Sequence, residues 1–401
     1  VSLIVAKFGG SSVANKERVF HAAEMMAAEH RKGHDVVVVV SAQGDTTDDF
    51  IEKINEINDK ASNRERDVIL SAGEQISMAL FAMALEKLGC PVISLTGWQA
   101  GIKTDAVYSG ARIKRVDTDR ILCELDKKKI VVVAGFQGIN NADDITTLGR
   151  GGSDTTAVAI AAALKADECR IYTDVDGVYT ADPRIVKSAR KLEEISYDEM
   201  LEMAALGAQV LHTRCIILAK KYNLNLEVLS SFTGAPGTKV KEVMTMEKML
   251  VSGVTKDENT AMLTVMGLED MPGAAYKLFS MLAAERINID VIVQSALKGE
   301  VRDISFTVPL TSLEKTMEVL KKAQDTMGFG EVLVDDNIGK VSIVGAGMAD
   351  NPGVATKMFE ALYDAGINLK SISTSEIKVT VLIRREDTKK AVEAIHNRFF
   401  G

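Results

Sequence analysis

Short strand-like runs punctuate the first half of the chain: Leu3 to Ala6, Val36 to Val40, Val92 to Leu95, Ile130 to Ala134 and Arg170 to Thr173. Near-continuous Val/Ile runs mark strands buried on both faces. Between them stand stretches with helical spacing, such as Arg18 to His30, Gln75 to Leu88 and Asp154 to Leu164. Strand alternating with helix predicts an α/β unit built on a mostly parallel sheet. After a further strand candidate, Leu226 to Leu229, the turn-rich segment Thr233-Gly-Ala-Pro-Gly-Thr238 marks a domain boundary.

Beyond that boundary the pattern repeats itself. Met271-Pro-Gly273 aligns with Asn351-Pro-Gly353 at an offset of 80 residues, and Phe279 meets Phe359, Leu282 meets Leu362 and Ile287-Asn288 meets Ile367-Asn368. Each copy follows the βαββαβ outline of a ferredoxin-like unit. The first copy closes on a strand, Glu331 to Val334, whereas the second reaches Phe400-Gly401 without one. A strand candidate at Met249 to Thr255 precedes the first copy. Assigning it to the second copy's sheet makes the first copy an insertion within the second. The expected domains are residues 1–245, an inserted 260–336, and 246–259 joined to 337–401.

Composition narrows the partners. The 401 residues are 46% hydrophobic and 26% charged, the balance of a globular protein with ample core. A net charge of -8 without a clustered basic tract offers no footprint for nucleic acid. No apolar run has the length of a membrane span, and the N-terminus opens directly into a strand, so a cytoplasmic protein with no membrane partner is expected. Cys90, Cys123, Cys169 and Cys215 are far apart and form no C-x-x-C pair, and the histidines lack metal-ligand spacing. Reduced, buried thiols are expected, and the chemistry must rest on other groups.

Three segments carry phosphate chemistry. In Lys7-Phe-Gly-Gly-Ser-Ser12 a strand ends in a glycine turn ahead of a helix, which lets backbone N–H groups approach an anion. Lys7 adds a mobile cation for a transferring phosphoryl group. Thr147-Leu-Gly-Arg-Gly-Gly-Ser-Asp154 enters an Ala-rich helix, with Arg150 shaped for a carboxylate or phosphate and Ser153 or Asp154 placed to cap. Thr173-Asp-Val-Asp-Gly-Val-Tyr-Thr-Ala-Asp-Pro-Arg184 is acidic but lacks calcium-loop spacing. A P-loop motif is absent, and Gly345-Ala-Gly347 belongs to the repeat and not to a dinucleotide fingerprint. Any one of these glycine turns alone is weak, because such motifs recur by chance.

Together, in this order and with Ser71-Ala-Gly-Glu-Gln75, they closely resemble the aspartate kinases of the amino-acid kinase superfamily, and the Pro-Gly repeat resembles that family's paired ACT regulatory domains. The resemblance spans essentially the whole chain. It implies a three-layer amino-acid-kinase sandwich followed by two ACT domains. It also implies that Lys7, Gly9, Gly10 and Ser11 hold the ATP phosphates, and that Thr173, Asp174, Tyr179 and Arg184 form the nucleotide loop. Ser41 and Thr47 of Ser41-Ala-Gln-Gly-Asp-Thr-Thr47, with Glu74, Arg150, Ser153 and Asp154, would surround L-aspartate. Glu74 would meet its ammonium and Arg150 a carboxylate. Catalysis would fall to Lys7, Arg150 and Asp154, with Mg²⁺ accompanying ATP and its protein ligands unassigned. One departure is Gln209, where many family members carry Lys; His212 nearby reads as a packing residue, not a base.

The implied chemistry suits these residue types. A carboxylate with an ordinary pKa of about 3.9 is already ionised at neutral pH, so the nucleophile needs no general base. The obstacle is bringing anion to anion, which cations and N–H groups relieve. By the same resemblance Asp270, Gly273, Ala275, Asp290 and Gln294 would line an effector site, with Asn368, Ser375 and Glu376 from the second copy. Lysine, threonine or both would act as feedback inhibitors, and the ACT domains would join chains into a homo-oligomer. Rival readings are another kinase of the superfamily, a catalytically dead amino-acid sensor, and an assembly protein. The first would not carry the Glu74 segment and the ACT pair together, and the other two leave Lys7, Glu74, Arg150 and Asp154 or the glycine loops without a purpose.

Overall fold

The computed structural model describes residues 2–208, 210–242, 250–296, 299–348 and 351–401. They fall into two compact units, Val1–Tyr179 with Lys191–Met246, and Thr180–Arg190 with Glu247–Gly401. The first is organised by an eight-stranded sheet. From edge to edge its strands are Glu194–Ser196, Thr238–Lys241, Leu226–Ser230, Glu168–Thr173, Leu3–Phe8, Asp35–Val40, Ile130–Ala134 and Val92–Leu95. Every pairing is parallel except that of Leu226–Ser230 with Thr238–Lys241. Val36–Val40 and Ile130–Ala134 are fully buried, as their unbroken apolar runs require. Alternate residues of these strands pack with helices Lys16–Arg31 and Asn63–Lys87 in one core, through Met26, Phe81 and Leu85. Helix Gly152–Leu164 lies against Leu3–Phe8, Asp35–Val40 and Glu168–Thr173, completing the three-layer sandwich.

Helix Asn63–Lys87 begins well before the expected Gln75. Ser62 starts it by accepting a hydrogen bond from Glu65 N, and its polar first turns hide the apolar periodicity. This helix is long and apolar enough to cross a membrane by length and composition, but half of its apolar stretch is buried within the unit. A small second sheet, Ile113–Val116, Ile102–Thr104, Gln137–Ile139 and Ile145–Thr147, was not among the expected elements. Its strands of three or four residues are too short to show a period. All four cysteines are free thiols; Cys90, Cys169 and Cys215 are buried, but Cys123 is exposed. Cys123 departs from the expected burial because helix Asp119–Asp126 turns Ile121, Glu124 and Leu125 inward instead.

The second unit is a six-stranded sheet in the order Ile292–Gln294, Val301–Val308, Gly253–Glu269, Val332–Val344, Lys378–Arg384 and Ser371–Thr374. Two long strands run through both copies of the repeat. Gly253 to Asp257 pairs antiparallel with Lys340 to Val344, while Met262 to Val265 pairs with Val332 to Asp335. The strand ahead of the first copy therefore does lie on the second copy's sheet. It continues unbroken into the first copy where separate strands were expected; Met249 lies outside the described residues. Gly273 (φ 91°) and Gly353 (φ 98°) occupy the same left-handed position before helices Ala274–Ala284 and Val354–Asp364, so the repeat extends to backbone conformation. Segment Thr180–Arg190 packs here, adding Ala181 and Val186 to the core of the second copy.

Candidate active site

In the first unit the parallel strands end on one side, and the loops leaving those ends make a single pocket of about 350 Å³. Carboxyl ends of parallel strands are where open α/β sheets place ligands. Strand Leu3–Phe8 contributes Lys7, and the turn behind it Gly10. The loop after Asp35–Val40 contributes Ser41, Ala42, Gly44 and Thr47, helix Asn63–Lys87 Glu74, and the loop after Ile130–Ala134 Phe136. Gly149 to Asp154 closes the far wall at the N-terminal end of helix Gly152–Leu164. Lys7, Gly10, Ser41, Thr47, Glu74, Arg150, Ser153 and Asp154 are thus brought together.

Charge inside the pocket is arranged in opposition. Lys7 Nζ lies 2.7 Å from Asp154 Oδ1, with both side chains largely shielded from water. Glu74 is 4% exposed. Its Oε1 accepts from Ala42 N at 3.1 Å, and its buried Oε2 has no hydrogen-bond partner among the described residues. Burial pushes the Glu74 carboxyl up to about 8, against the opposing pull of the Ala42 N–H. A buried carboxyl oxygen without a partner, on a residue that lines a pocket, marks a receptor for a cation or a donor. Arg150 is exposed on the opposite wall. The first helical turn of Gly152–Leu164 opens toward the same space, where its N-terminal dipole favours an anion.

Backbone contact keeps the walls close. Gly44 N donates to Gly10 O at 3.1 Å, and Gln43 Nε2 to Val13 O at 2.7 Å. A Cβ on Gly10 would come within 2.8 Å of the Ala42 carbonyl oxygen, so only glycine permits this approach. The Gly10–Val13 segment is a single 3-10 turn; the longer helix Lys16–Arg31 starts separately, capped by Asn15. Neither Ser153 nor Asp154 caps helix Gly152–Leu164, contrary to expectation. The cap position is Gly151 at φ 66°, and Asp154 is instead turned to Lys7. His212 packs on Gly151 and accepts from Arg214 N at 3.3 Å to cap helix Thr213–Lys221. Burial pushes its imidazole below the usual value, with Asp154 opposing, which suits a packing role better than that of a base. Gln209 lies outside the described residues.

Gly9, Ser11, Thr173, Asp174 and Tyr179 are not in the pocket lining; they sit around the neighbouring strand ends. Gly9 N donates to Tyr172 O at 3.2 Å, Arg18 donates to Ser11 O at 2.6 Å, and Ser231 N donates to Thr173 O at 2.9 Å. Ser12 Oγ and Ser231 Oγ meet at 2.8 Å, tying the glycine turn to the loop beyond Leu226–Ser230. Thr173 Oγ1 donates to Asp174 Oδ1 at 3.1 Å, and Tyr179 OH to Asp176 Oδ1 at 2.9 Å. Arg184 belongs to the second unit, where it pairs with Asp182 at 2.8 Å. Sequence reasoning missed Gly44 and Phe136; Phe136 holds φ 69°, an unusual strain for an aromatic residue and one that collects at functional sites.

In the second unit, Asp270 pairs with Arg302 at 2.7 Å and Asp290 with Lys340 at 2.7 Å. Gly273 and Ala275 begin helix Ala274–Ala284, and Gln294 ends the edge strand Ile292–Gln294. Asn368, Ser375 and Glu376 are exposed in loops of the second copy.

Comparison with known proteins agrees with this geometry. Residues 2–230 match the amino acid kinase family, and residues 263–324 and 341–399 match an ACT domain. An aspartokinase of Bacillus sp. (strain MGA3) is 50% identical over 400 residues, covering 100% of this chain and 97% of that protein. The structure of E. coli aspartokinase III in complex with aspartate and ADP superposes with a TM-score of 0.85 at 25% identity, covering 100% of both chains. The same enzyme in complex with lysine and aspartate gives 0.76 at 25% identity, again over 100% of both chains. The chain belongs to the aspartokinases, kinases of the amino acid kinase family.

Proposed function

We propose that this aspartokinase transfers the γ-phosphoryl group of ATP to the β-carboxylate of L-aspartate, giving 4-phospho-L-aspartate and ADP as the first step toward lysine, threonine and methionine. The observation that carries the reading is the buried Glu74 carboxyl, its Oε2 without a hydrogen-bond partner among the described residues, in the lining of a pocket whose other walls bear Lys7 and Arg150. Glu74 receives the substrate ammonium and Arg150 its α-carboxylate, with Ser41, Thr47 and Ser153 as hydroxyl partners. The attacking β-carboxylate is ionised already, so no residue need remove a proton. Lys7 neutralises charge as the phosphoryl group moves, while Asp154 holds the Lys7 ammonium at the pocket wall. Gly10 and Ser11 offer N–H groups to the phosphates beside Gly9, whose own N–H is taken by Tyr172 O, and Thr173, Asp174 and Tyr179 hold the nucleotide. Support for these substrates also comes from the E. coli relative, whose complex contains aspartate and ADP.

Among the described residues no cluster of three or more potential ligands stands ready for a metal. Mg²⁺ would arrive with ATP, held mainly by phosphate oxygens and water, and would supply charge neutralisation on the phosphates. The second unit is read as the regulatory part, taking lysine, threonine or both at the Asp270, Gly273, Ala275, Asp290 and Gln294 surface, with Asn368, Ser375 and Glu376 from the second copy. Its edge strands leave Ile292 (53%), Val293 (40%) and Ile372 (44%) exposed, surfaces suited to pairing with another copy of the chain. A cytoplasmic location accords with a biosynthetic role. The test is ADP release with ATP, Mg²⁺ and L-aspartate, with hydroxylamine trapping the acyl phosphate, run with and without lysine and threonine. Aspartate-dependent hydroxamate that falls with effector supports both halves. ATP binding without aspartate turnover points to a different acceptor.

A further inference from the structure

Two turns before Glu74 on the same helix sits Asp67, a carboxylate with no contact to water (0% exposed). It does not line the pocket. Its Oδ2 accepts from Ser109 N at 2.9 Å and from Thr147 N at 2.8 Å. Its Oδ1 accepts from Ser109 Oγ at 2.9 Å, Ser109 N at 3.0 Å and Thr147 Oγ1 at 2.8 Å. All of these donors are neutral and come from a loop and a strand end that are distant in sequence. A fully buried carboxylate is costly to keep unless hydrogen bonds replace its lost hydration, and here four donors make five contacts to do so.

What Asp67 fastens is the strand end that leads into the Gly149–Asp154 wall. Thr147 is three residues before Arg150, and Thr147 O accepts from Ala111 N at 2.9 Å, joining the two segments to each other. Arg214 holds the same stretch from the other side, donating to Leu148 O and Ala111 O. A Cβ on Gly149 would stand 3.4 Å from Ser109 O, so the two segments run close together here. On the helix side, the seven residues from Asp67 to Glu74 span about 10 Å at the α-helical rise. The group proposed for the substrate ammonium and the group proposed for its carboxylate are therefore joined through one rigid helix and one buried carboxylate.

We propose that Asp67 is a positioning residue for the acceptor substrate: it sets the separation between Glu74 and Arg150 by locking the Thr147–Arg150 loop to the helix that carries Glu74. This rests on the reading of Glu74 and Arg150 as the two ends of the aspartate site. Among the described residues the side-chain hydrogen bonds of Asp67 go to Ser109 and Thr147 and not to the proposed nucleotide loops, so its loss should be felt in aspartate binding and not in ATP binding.

The test is Asp67→Asn, which keeps the shape but leaves one acceptor oxygen where there were two: with that oxygen on the two backbone N–H groups, the amide NH₂ faces the Ser109 and Thr147 hydroxyls and loses the contacts they donated. KM for aspartate should rise tenfold or more while KM for ATP stays within twofold. Thr147→Val, which removes one hydroxyl donor and leaves the backbone contacts, should raise KM for aspartate only two- to threefold. If Asp67→Asn does not fold, the Ser109→Ala/Thr147→Val double variant carries the test, with the same selective rise expected. A lowered melting temperature with both KM values unchanged, or equal rises in both, overturns the positioning role while leaving the kinase reading intact. Wild-type protein that binds ATP but does not phosphorylate aspartate overturns both.

Discussion

Lys7 Nζ and Asp154 Oδ1 meet at 2.7 Å across the pocket, one from the end of a central strand and the other from the first turn of a helix. Lys7 is 8% exposed, so its ammonium depends on this partner for compensation. In the proposed reaction the pair stores a cation where negative charge accumulates. Lys7→Met should cut kcat by about a hundredfold or more, the loss typical of removing one group that stabilises transition-state charge. Asp154→Asn leaves the ammonium present but loosely placed, and should lower kcat by less. Steady-state kinetics of the two variants decides the order; an equal or larger loss in Asp154→Asn would mean that Asp154 contacts the reacting groups itself.

Glu74 predicts a pH dependence with a definite sign. Burial raises its carboxyl from 4.5 to about 8, so between those values the folded protein keeps a proton that the unfolded chain has released. Stability from this group is full below about pH 4.5 and is lost as pH rises through about 8. Glu74→Gln, uncharged throughout, should match wild type in acid and be the more stable protein above pH 8. Aspartate binding should expel the Glu74 proton near pH 7 as the substrate ammonium pairs with the carboxylate. Calorimetry in two buffers of different ionisation enthalpy measures that release. Its persistence in Glu74→Gln would remove Glu74 from the ammonium site.

The parts of this site that are legible in the sequence sit where chain direction does the placing. Lys7, Ser41 and Arg150 follow apolar runs or glycine clusters, and parallel strands deliver their ends to one side. Phe136 and Asp67 were not legible. An aromatic residue after Ala134-Gly135 gives no sign that its φ will be 69°. Asp67 occupies a polar first stretch of its helix that resembles a solvated face, and only the arrival of Ser109 and Thr147 shows it to be buried. The small sheet was missed for want of length, and the packing of Thr180–Arg190 with the second unit because its apolar residues, Ala181, Ile185, Val186 and Ala189, are few and lie in a loop. Internal repetition compensated in the second half, since an offset of 80 residues locates equivalent strands without any period being read.

That packed segment carries a second pH effect. Thr180 Oγ1 meets His396 Nε2 at 2.9 Å, and His396 is 1% exposed and stacked on Phe400 at 4.7 Å. Burial, with Arg190 nearby, pushes its imidazole below the ordinary value of 6.5. The unfolded chain therefore binds a proton that the folded one resists, so stability from this group is present above about pH 6.5 and lost as pH falls below it. His396→Gln should flatten that acid limb. Thermal melts of wild type and variant between pH 5 and 8 should converge toward the acid end. Parallel curves would show that His396 does not titrate in this range.

Asp290 and Lys340 make the last prediction, which concerns the effector. Lys340 is 6% exposed, and its Nζ stands 2.7 Å from Asp290 and 3.3 Å from Asp257. An amino-acid ammonium that binds Asp290 must compete with, or share, this internal one. Eighty positions on, the second copy has Lys370 in place of Asp290, and it pairs with Asp335. The two copies thus present opposite charges at equivalent positions, and only the first offers a carboxylate there to a cationic ligand. Lys340→Met keeps the aliphatic stem, removes the competing charge, and leaves two carboxylates that are both partly solvated. Inhibition by lysine, or by threonine through its α-ammonium, should then require about three- to tenfold less effector, a gain of about 1 kcal/mol in binding. The measurement is the half-inhibitory concentration at saturating ATP and aspartate, alongside calorimetric binding of each amino acid. Weaker inhibition in the variant would mean that Lys340 holds Asp290 in its binding rotamer and does not compete for it.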